Sequence, residues 1–182
     1  IGGTGIVKNL GMSSASVVGQ TFVGALVGEN TGIISNCYAK GSATGSSRVG
    51  LLAGRFWETD ASSTITNSYA EGVVSGADFI GGLTGWMRGT ISKNYAKVNV
   101  TASGDRIGGL VGTVDIGNVT DSYAEGIVIG RSYVGGLVGI IDGYVSGSHT
   151  ITNITCLSYC GGVLGTTTAV AKTLSTSYSQ AT

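Results

Sequence analysis

Val134-Gly135-Gly136-Leu137-Val138-Gly139 decides how this chain is read, because near-copies of it recur along almost the whole length. Upstream stand Ile107-Gly-Gly-Leu-Val-Gly112, Ile80-Gly-Gly-Leu-Thr-Gly85, Val49-Gly-Leu-Leu-Ala-Gly54 and Val23-Gly-Ala-Leu-Val-Gly28, and downstream stands Cys160-Gly-Gly-Val-Leu-Gly165. Their first residues fall at 23, 49, 80, 107, 134 and 160, giving steps of 26, 31, 27, 27 and 26 residues. A fixed period in this range is the mark of a repeat architecture in which each unit packs mainly on its neighbours.

A second landmark follows each copy: Asn36-Cys-Tyr-Ala-Lys-Gly41, Asn67-Ser-Tyr-Ala-Glu-Gly72, Lys93-Asn-Tyr-Ala-Lys97 and Asp121-Ser-Tyr-Ala-Glu-Gly126. A β-branched residue and a hydroxyl precede it, as in Ile65-Thr66 and Val119-Thr120, and a short apolar run such as Ile127-Val-Ile129 follows. β-Branched runs of four to seven residues, punctuated by Gly, Ser, Asn and Asp, read as strands, and no segment holds a helical apolar period. The expectation is an all-β parallel β-solenoid over residues 1–182, with about three short strands per 26–27-residue coil and about six and a half coils. The chain then starts and ends in mid-coil. The 31-residue step places a corner insertion at 55–63, and His149 falls in the tyrosine column.

Side-chain direction follows from the columns. Lys93 and Asp121 share a column with Asn36 and Asn67, and charges in a narrow core are costly, so this column is expected to face out. Alternation then turns Cys37, Ser68, Asn94 and Ser122 inward and makes a ladder of Tyr38, Tyr69, Tyr95 and Tyr123 on the outside. An aromatic stack would also fit inside, and both placements stay open. The same parity would expose Ile34, Ile65, Ile91 and Val119, so a turn or bulge is required at the Ser-Asn step. The Gly closing each first motif is expected at a corner with φ > 0.

Composition narrows the chemistry. Ten basic and ten acidic residues give a net charge of zero, which supplies no footprint for nucleic acid. No apolar run reaches the length of a membrane helix, so membrane insertion is not expected, and residues 1–5 lack signal-peptide features. One histidine excludes a His-Glu-x-x-His metalloprotease site, the glycine motif lacks the helix that a dinucleotide loop requires, and no cofactor is implied. Cys37, Cys156 and Cys160 read first as small apolar wall residues, with a Cys156–Cys160 bridge left to geometry.

With both motifs in place, the pattern resembles the GLUG repeat over nearly the whole chain; His149-Thr150 stands where other copies have Tyr-Ala. The resemblance implies an extracellular β-solenoid like those of bacterial surface and secreted proteins, including filamentous-haemagglutinin-like adhesins and immunoglobulin A1 proteases. It carries no catalytic or ligand residues.

The expected function is therefore a non-enzymatic adhesion or structural module at the cell surface, with other protein chains or surface glycans as partners. Phe56, Trp57, Glu58 and Asp60 in the insertion, with Trp86, are the candidate contact residues. Asn99, Asn118 and Asn153 open N-x-Thr sequons, too few in this composition to identify a glycosylated source. Two alternatives are a filament subunit joining end to end through uncapped terminal coils, and a polysaccharide-acting β-helix enzyme using Asp78, Asp105, Arg106 and Arg131.

Overall fold

The computed structural model describes residues 5–57, 62–168, 174–175 and 178–180. Every strand pairing is parallel, and the strands assemble into 11-, 7- and 6-stranded sheets that form the walls of a β-solenoid. Each residue pairs with its counterpart one repeat away. The first wall aligns Ile34, Ile65, Ile91, Val119 and Val145. The second aligns Tyr38, Tyr69, Tyr95, Tyr123 and His149. The third aligns Val23, Val49, Ile80, Ile107, Val134 and Cys160. The register of the repeat is the register of the sheets. The opening residues obey it too, since Gly11 and Met12 pair with Tyr38 and Ala39.

The first wall takes two strands per coil where the insertion intervenes, Ala53–Phe56 and Thr64–Thr66. In the next two coils these fuse into Thr84–Ser92 and Val111–Thr120, with a register shift between Met87 and Arg88. The core between the walls is a set of aliphatic columns, among them Ile34, Ile65, Ile91, Leu83, Leu110 and Leu137, all fully buried. Burial of each such side chain contributes about 1.5–3 kcal/mol.

Two corners per coil turn through the left-handed region. At the first, Asn9, Asn36, Asn67, Lys93 and Asp121 have φ between 47° and 59°, and Gly147 joins them at 57°. One left-handed residue resets the alternation, which reconciles inward Ile34, Ile65, Ile91 and Val119 with inward Ala39, Ala70, Ala96 and Ala124 two strands' parity away. At the second corner the residues are Phe22, Arg48, Phe79, Arg106, Tyr133 and Tyr159.

The closing glycines are not where the sequence placed them. Gly54, Gly85, Gly112 and Gly139 have no positive φ. They are glycines because two walls converge on them: a Cβ on Gly112 would sit 2.5 Å from the Gly85 carbonyl oxygen and 2.8 Å from the Ile80 nitrogen. On Gly139 it would sit 2.6 Å from both the Gly112 oxygen and the Ile107 nitrogen. Close backbone approach, not turn conformation, excludes a side chain there.

After exposed Leu10 in the opening coil, the residue following the first corner is buried in each described coil from Cys37 to Ser148. Cys37, Ser68, Asn94, Ser122 and Ser148 form a column in which the backbone N–H of each of the first four donates to the side chain of the next coil. The distances are 3.1 Å from Cys37 to Ser68 Oγ, 2.8 Å from Ser68 to Asn94 Oδ1, 3.1 Å from Asn94 to Ser122 Oγ and 3.1 Å from Ser122 to Ser148 Oγ. The same side chains donate back to the carbonyl two residues earlier, Ser68 to Thr66, Ser122 to Thr120 and Ser148 to Ser146. Asn94 also donates from Nδ2 to the Ile65 and Ser92 carbonyls. The column satisfies buried backbone donors that the corner removes from the ladder.

Each buried group left unpaired costs about 1–3 kcal/mol, so Asn94→Ala is expected to lower the unfolding free energy by about 3 kcal/mol or more and Ser122→Ala by about 1–3 kcal/mol. Urea denaturation, with exposed Thr101→Ala as the reference, checks this. Near-neutral Asn94→Ala would refute the role assigned to the column.

Candidate functional site

The outer face of the second wall carries two ladders. On the second wall the rings of Tyr38, Tyr69, Tyr95, Tyr123 and His149 stack coil on coil, with centroids 5.2, 4.7, 5.1 and 5.1 Å apart and planes within 10°. The rings are half-buried and lie outside, opposite the inward alanines. Two residues on, Lys40, Glu71, Lys97 and Glu125 alternate in sign along the axis, with ion pairs of 2.8 Å (Lys40–Glu71) and 3.2 Å (Lys97–Glu125). Such exposed pairs contribute little singly.

Glu71 also accepts from the Tyr95 hydroxyl at 3.2 Å. Burial first, and then the Glu71 charge, push the Tyr95 phenol up to about 12. A phenol harder to ionise in the folded chain than in the unfolded one gives stability that is whole below about pH 10 and is lost as pH climbs toward about 12. Urea midpoints are therefore expected to fall across that interval, and Tyr95→Phe is expected to flatten the fall; an unchanged slope would refute it.

The insertion corner holds the candidate contact residues unequally. Phe56 is a core residue with no exposure, paired to Met87 in the first wall. Trp86 points outward but is only 7% exposed, because Trp57 stacks on it at 5.0 Å. Trp57 remains 40% exposed and is the accessible aromatic of the three. Glu58 and Asp60 lie outside the described residues. The indole pair is framed by Arg88, 4.7 Å from the Trp57 ring, and by Arg55 at 5.1 Å. Asp115 accepts from Arg88 Nε at 2.7 Å, and Glu29 pairs with Arg55 at 2.6 Å. The result is a rigid aromatic platform with its flanking guanidinium groups locked by carboxylates. Sequence reasoning missed these arginines, although Arg55 is in register with Trp86 one coil on and Arg88 stands two residues after Trp86.

The third wall brings the acidic candidates together but disposes of them. Asp78 accepts the backbone N–H of Asp105 at 2.7 Å, and both oxygens of Asp105 are taken by Arg131, each at 2.9 Å. Arg131 beside it holds the Asp105 carboxyl below its ordinary range. A glycosidase acid requires the opposite shift, so Asp105 is unsuited to protonate a leaving group. Arg106 turns away into another column, stacked 4.6 Å from Phe79. Among the described residues no three His, Cys, Asp or Glu side chains cluster as a metal site, and no helix is long and apolar enough to cross a membrane.

The sequon asparagines all sit in strands. Asn99 Oδ1 accepts the Ile127 N–H at 3.1 Å, Asn118 Oδ1 accepts the Tyr144 N–H at 3.3 Å, and Asn153 lies in His149–Thr155. Of the cysteines, Cys37 alone is a buried wall residue. Cys156 and Cys160 form a disulfide with Cα atoms 6.1 Å apart, correcting the wall reading for these two. Cys160 shares the column of buried Val134, but among the described residues Ser158–Gly161 is the outermost strand of its sheet and Cys160 is exposed there.

Two stretches match the model of the GLUG motif, residues 19–44 and 103–129. The chain carries GLUG repeats. Each matched stretch is one complete coil, running through the third, first and second walls in turn; for 103–129 these are Asp105–Gly108, Val111–Thr120 and Tyr123–Ile129. A GLUG-bearing region of this chain is also 42% identical over 112 residues to halomucin of Haloquadratum walsbyi, covering 62% of the chain and 1% of halomucin. A solved chain from Bacteroides ovatus, described as a candidate immunoglobulin A1 protease, superimposes with a TM-score of 0.65 at 19% identity. That match covers 97% of this chain and 66% of the solved chain, and it is a likeness of fold.

Proposed function

We propose that this solenoid is a non-enzymatic structural and adhesive segment of a surface-associated or secreted repeat protein. It is a stiff rod that holds a contact platform, centred on Trp57, at one corner. The observation that carries the reading is the division of labour in the fold. Polar side chains in the interior serve buried backbone groups, Asp105 on the third wall is paired with Arg131 while Asp78 accepts a backbone N–H, and the exposed aromatic is held by stacking and two locked arginines. Such a surface is built to bind without reacting.

Further support comes from the GLUG repeats, from the similarity to halomucin, whose name marks it as mucin-like, and from the Cys156–Cys160 disulfide, a bond that persists in oxidising compartments. The partner class that fits Trp57 is a surface glycan or another protein chain, since an indole offers both an apolar face and a donor.

Binding of the intact chain to glycan arrays and to immobilised cell-surface proteins tests the proposal. Trp57→Ala is expected to weaken the retained interaction about tenfold or more while the thermal melt stays put. Absence of any binding would count against the adhesive role. New reducing ends released from a polysaccharide panel, and abolished by Asp105→Asn, would instead establish an enzyme.

A further inference from the structure

The column at the second corner poses a question that the fold alone leaves unanswered. Its members, Phe22, Arg48, Phe79, Arg106, Tyr133 and Tyr159, all hold φ between 52° and 68°. The left-handed region favours Gly, Asn and Asp and is strained for bulky residues. The first corner respects that preference in most coils, using Asn, Asp and Gly; the second does not. If the turn were the only requirement, glycine would meet it with less strain, so the large side chains are retained for what they present.

What they present is an alternation of rings and guanidinium groups along the rod axis. Arg48 lies 5.5 Å from the Phe22 ring and 4.8 Å from the Phe79 ring, and Arg106 lies 4.6 Å from the other side of the same Phe79. Arg55 adds a further cation 4.1 Å from Phe22. Arg55, Arg88 and Arg131 each pair with a carboxylate, whereas neither Arg48 nor Arg106 makes an ion pair among the described residues. The Arg48 Nε is buried with no acceptor. Half-buried cations facing one another without anions are costly, and burial, then Arg55, then Arg106 all disfavour the charge on Arg48. An incoming anion would relieve that cost.

We propose that the strip Phe22–Arg48–Phe79–Arg106 binds a linear acidic glycan lying along the solenoid axis. The two unpaired arginines are two coils apart, so their charges are spaced by about 9–10 Å. A nucleic acid carries a phosphate about every 3.4 Å per strand of duplex, and one at every residue of a single strand, so much of its charge would go unmatched on this strip. An extended polysaccharide with an acidic group on alternate sugars offers sparse charge of the right kind, and its C–H faces suit the intervening ring and the Tyr133–Tyr159 stack, 4.6 Å apart, that continues the column. Guanidinium forks donate to carboxylate or sulfate oxygens in a bidentate manner.

Hyaluronan, which bears a uronate on alternate sugars, is the probe. Interferometry with the immobilised chain is expected to register hyaluronan binding that weakens as salt is raised, no binding of neutral dextran, and weaker binding of single-stranded poly(dT). Arg48→Gln with Arg106→Gln is expected to reduce hyaluronan affinity at least tenfold with an unchanged melting curve. Should the double variant fail to fold, Arg106→Gln alone is expected to move affinity in the same direction. Trp57→Ala leaves the strip intact and should retain hyaluronan, so this proposal and the contact-platform reading fail separately. Lack of hyaluronan binding at low ionic strength, binding indifferent to the arginine substitutions, or tighter binding of poly(dT) would overturn it.

Discussion

The structure rests on one constraint: a left-handed residue must turn each coil without stranding the buried N–H that follows it. A parallel ladder pairs backbone groups only while the strands stay extended, and the turn at Asn36, Asn67, Lys93 and Asp121 interrupts that pairing inside a dry, narrow wall. The interruption is tolerable because the next coil extends a hydroxyl or amide to the stranded donor. Small polar side chains are therefore required at Ser68, Asn94, Ser122 and Ser148, and the aliphatic columns can close around them. The turn also sets the parity of everything after it, placing alanines inside and the tyrosine ladder outside.

Much of this was legible in the residues. The recurrence of Val-Gly-Gly-Leu-Val-Gly and of Tyr-Ala dictated the register, because side chains that recur at a fixed period stack on their own kind in a parallel solenoid. The need for a break in alternation at the Ser-Asn step followed from two columns that could not both be buried on one parity. What was not legible depended on distances between walls. The closing glycines read as turn residues, since sequence records that a residue lacks a Cβ but not which backbone would collide with one. Phe56 and Trp86 read as contact residues for a similar reason: an aromatic beside an insertion looks available until Phe56 is seen to face the core and Trp57 to cover Trp86.

The candidate site was less legible than the fold. Trp57 could be singled out because the insertion breaks the period, and a departure from a repeat is visible by eye. The arginine-bearing column at the second corner stays within the period, and its strained backbone conformation leaves no trace in composition. Asp78, Asp105 and Arg131 were correctly gathered onto neighbouring coils, but only the geometry shows the carboxylate of Asp105 to be clamped by both of its oxygens.

The inner polar column also gives the rod a direction. The N–H at Ser68 relies on Asn94, that at Asn94 relies on Ser122, and that at Ser122 relies on Ser148, each coil leaning on the one that follows it in the chain. The residue after each member leans the other way: the Tyr95 N–H donates to the Ser68 carbonyl and the Tyr123 N–H to the Asn94 carbonyl, both in the preceding coil. Peeling away a following coil strands a buried amide. Each junction is thus held by unlike groups from its two sides, side-chain oxygens reaching back from the coil after it and backbone carbonyls reaching forward from the coil before it.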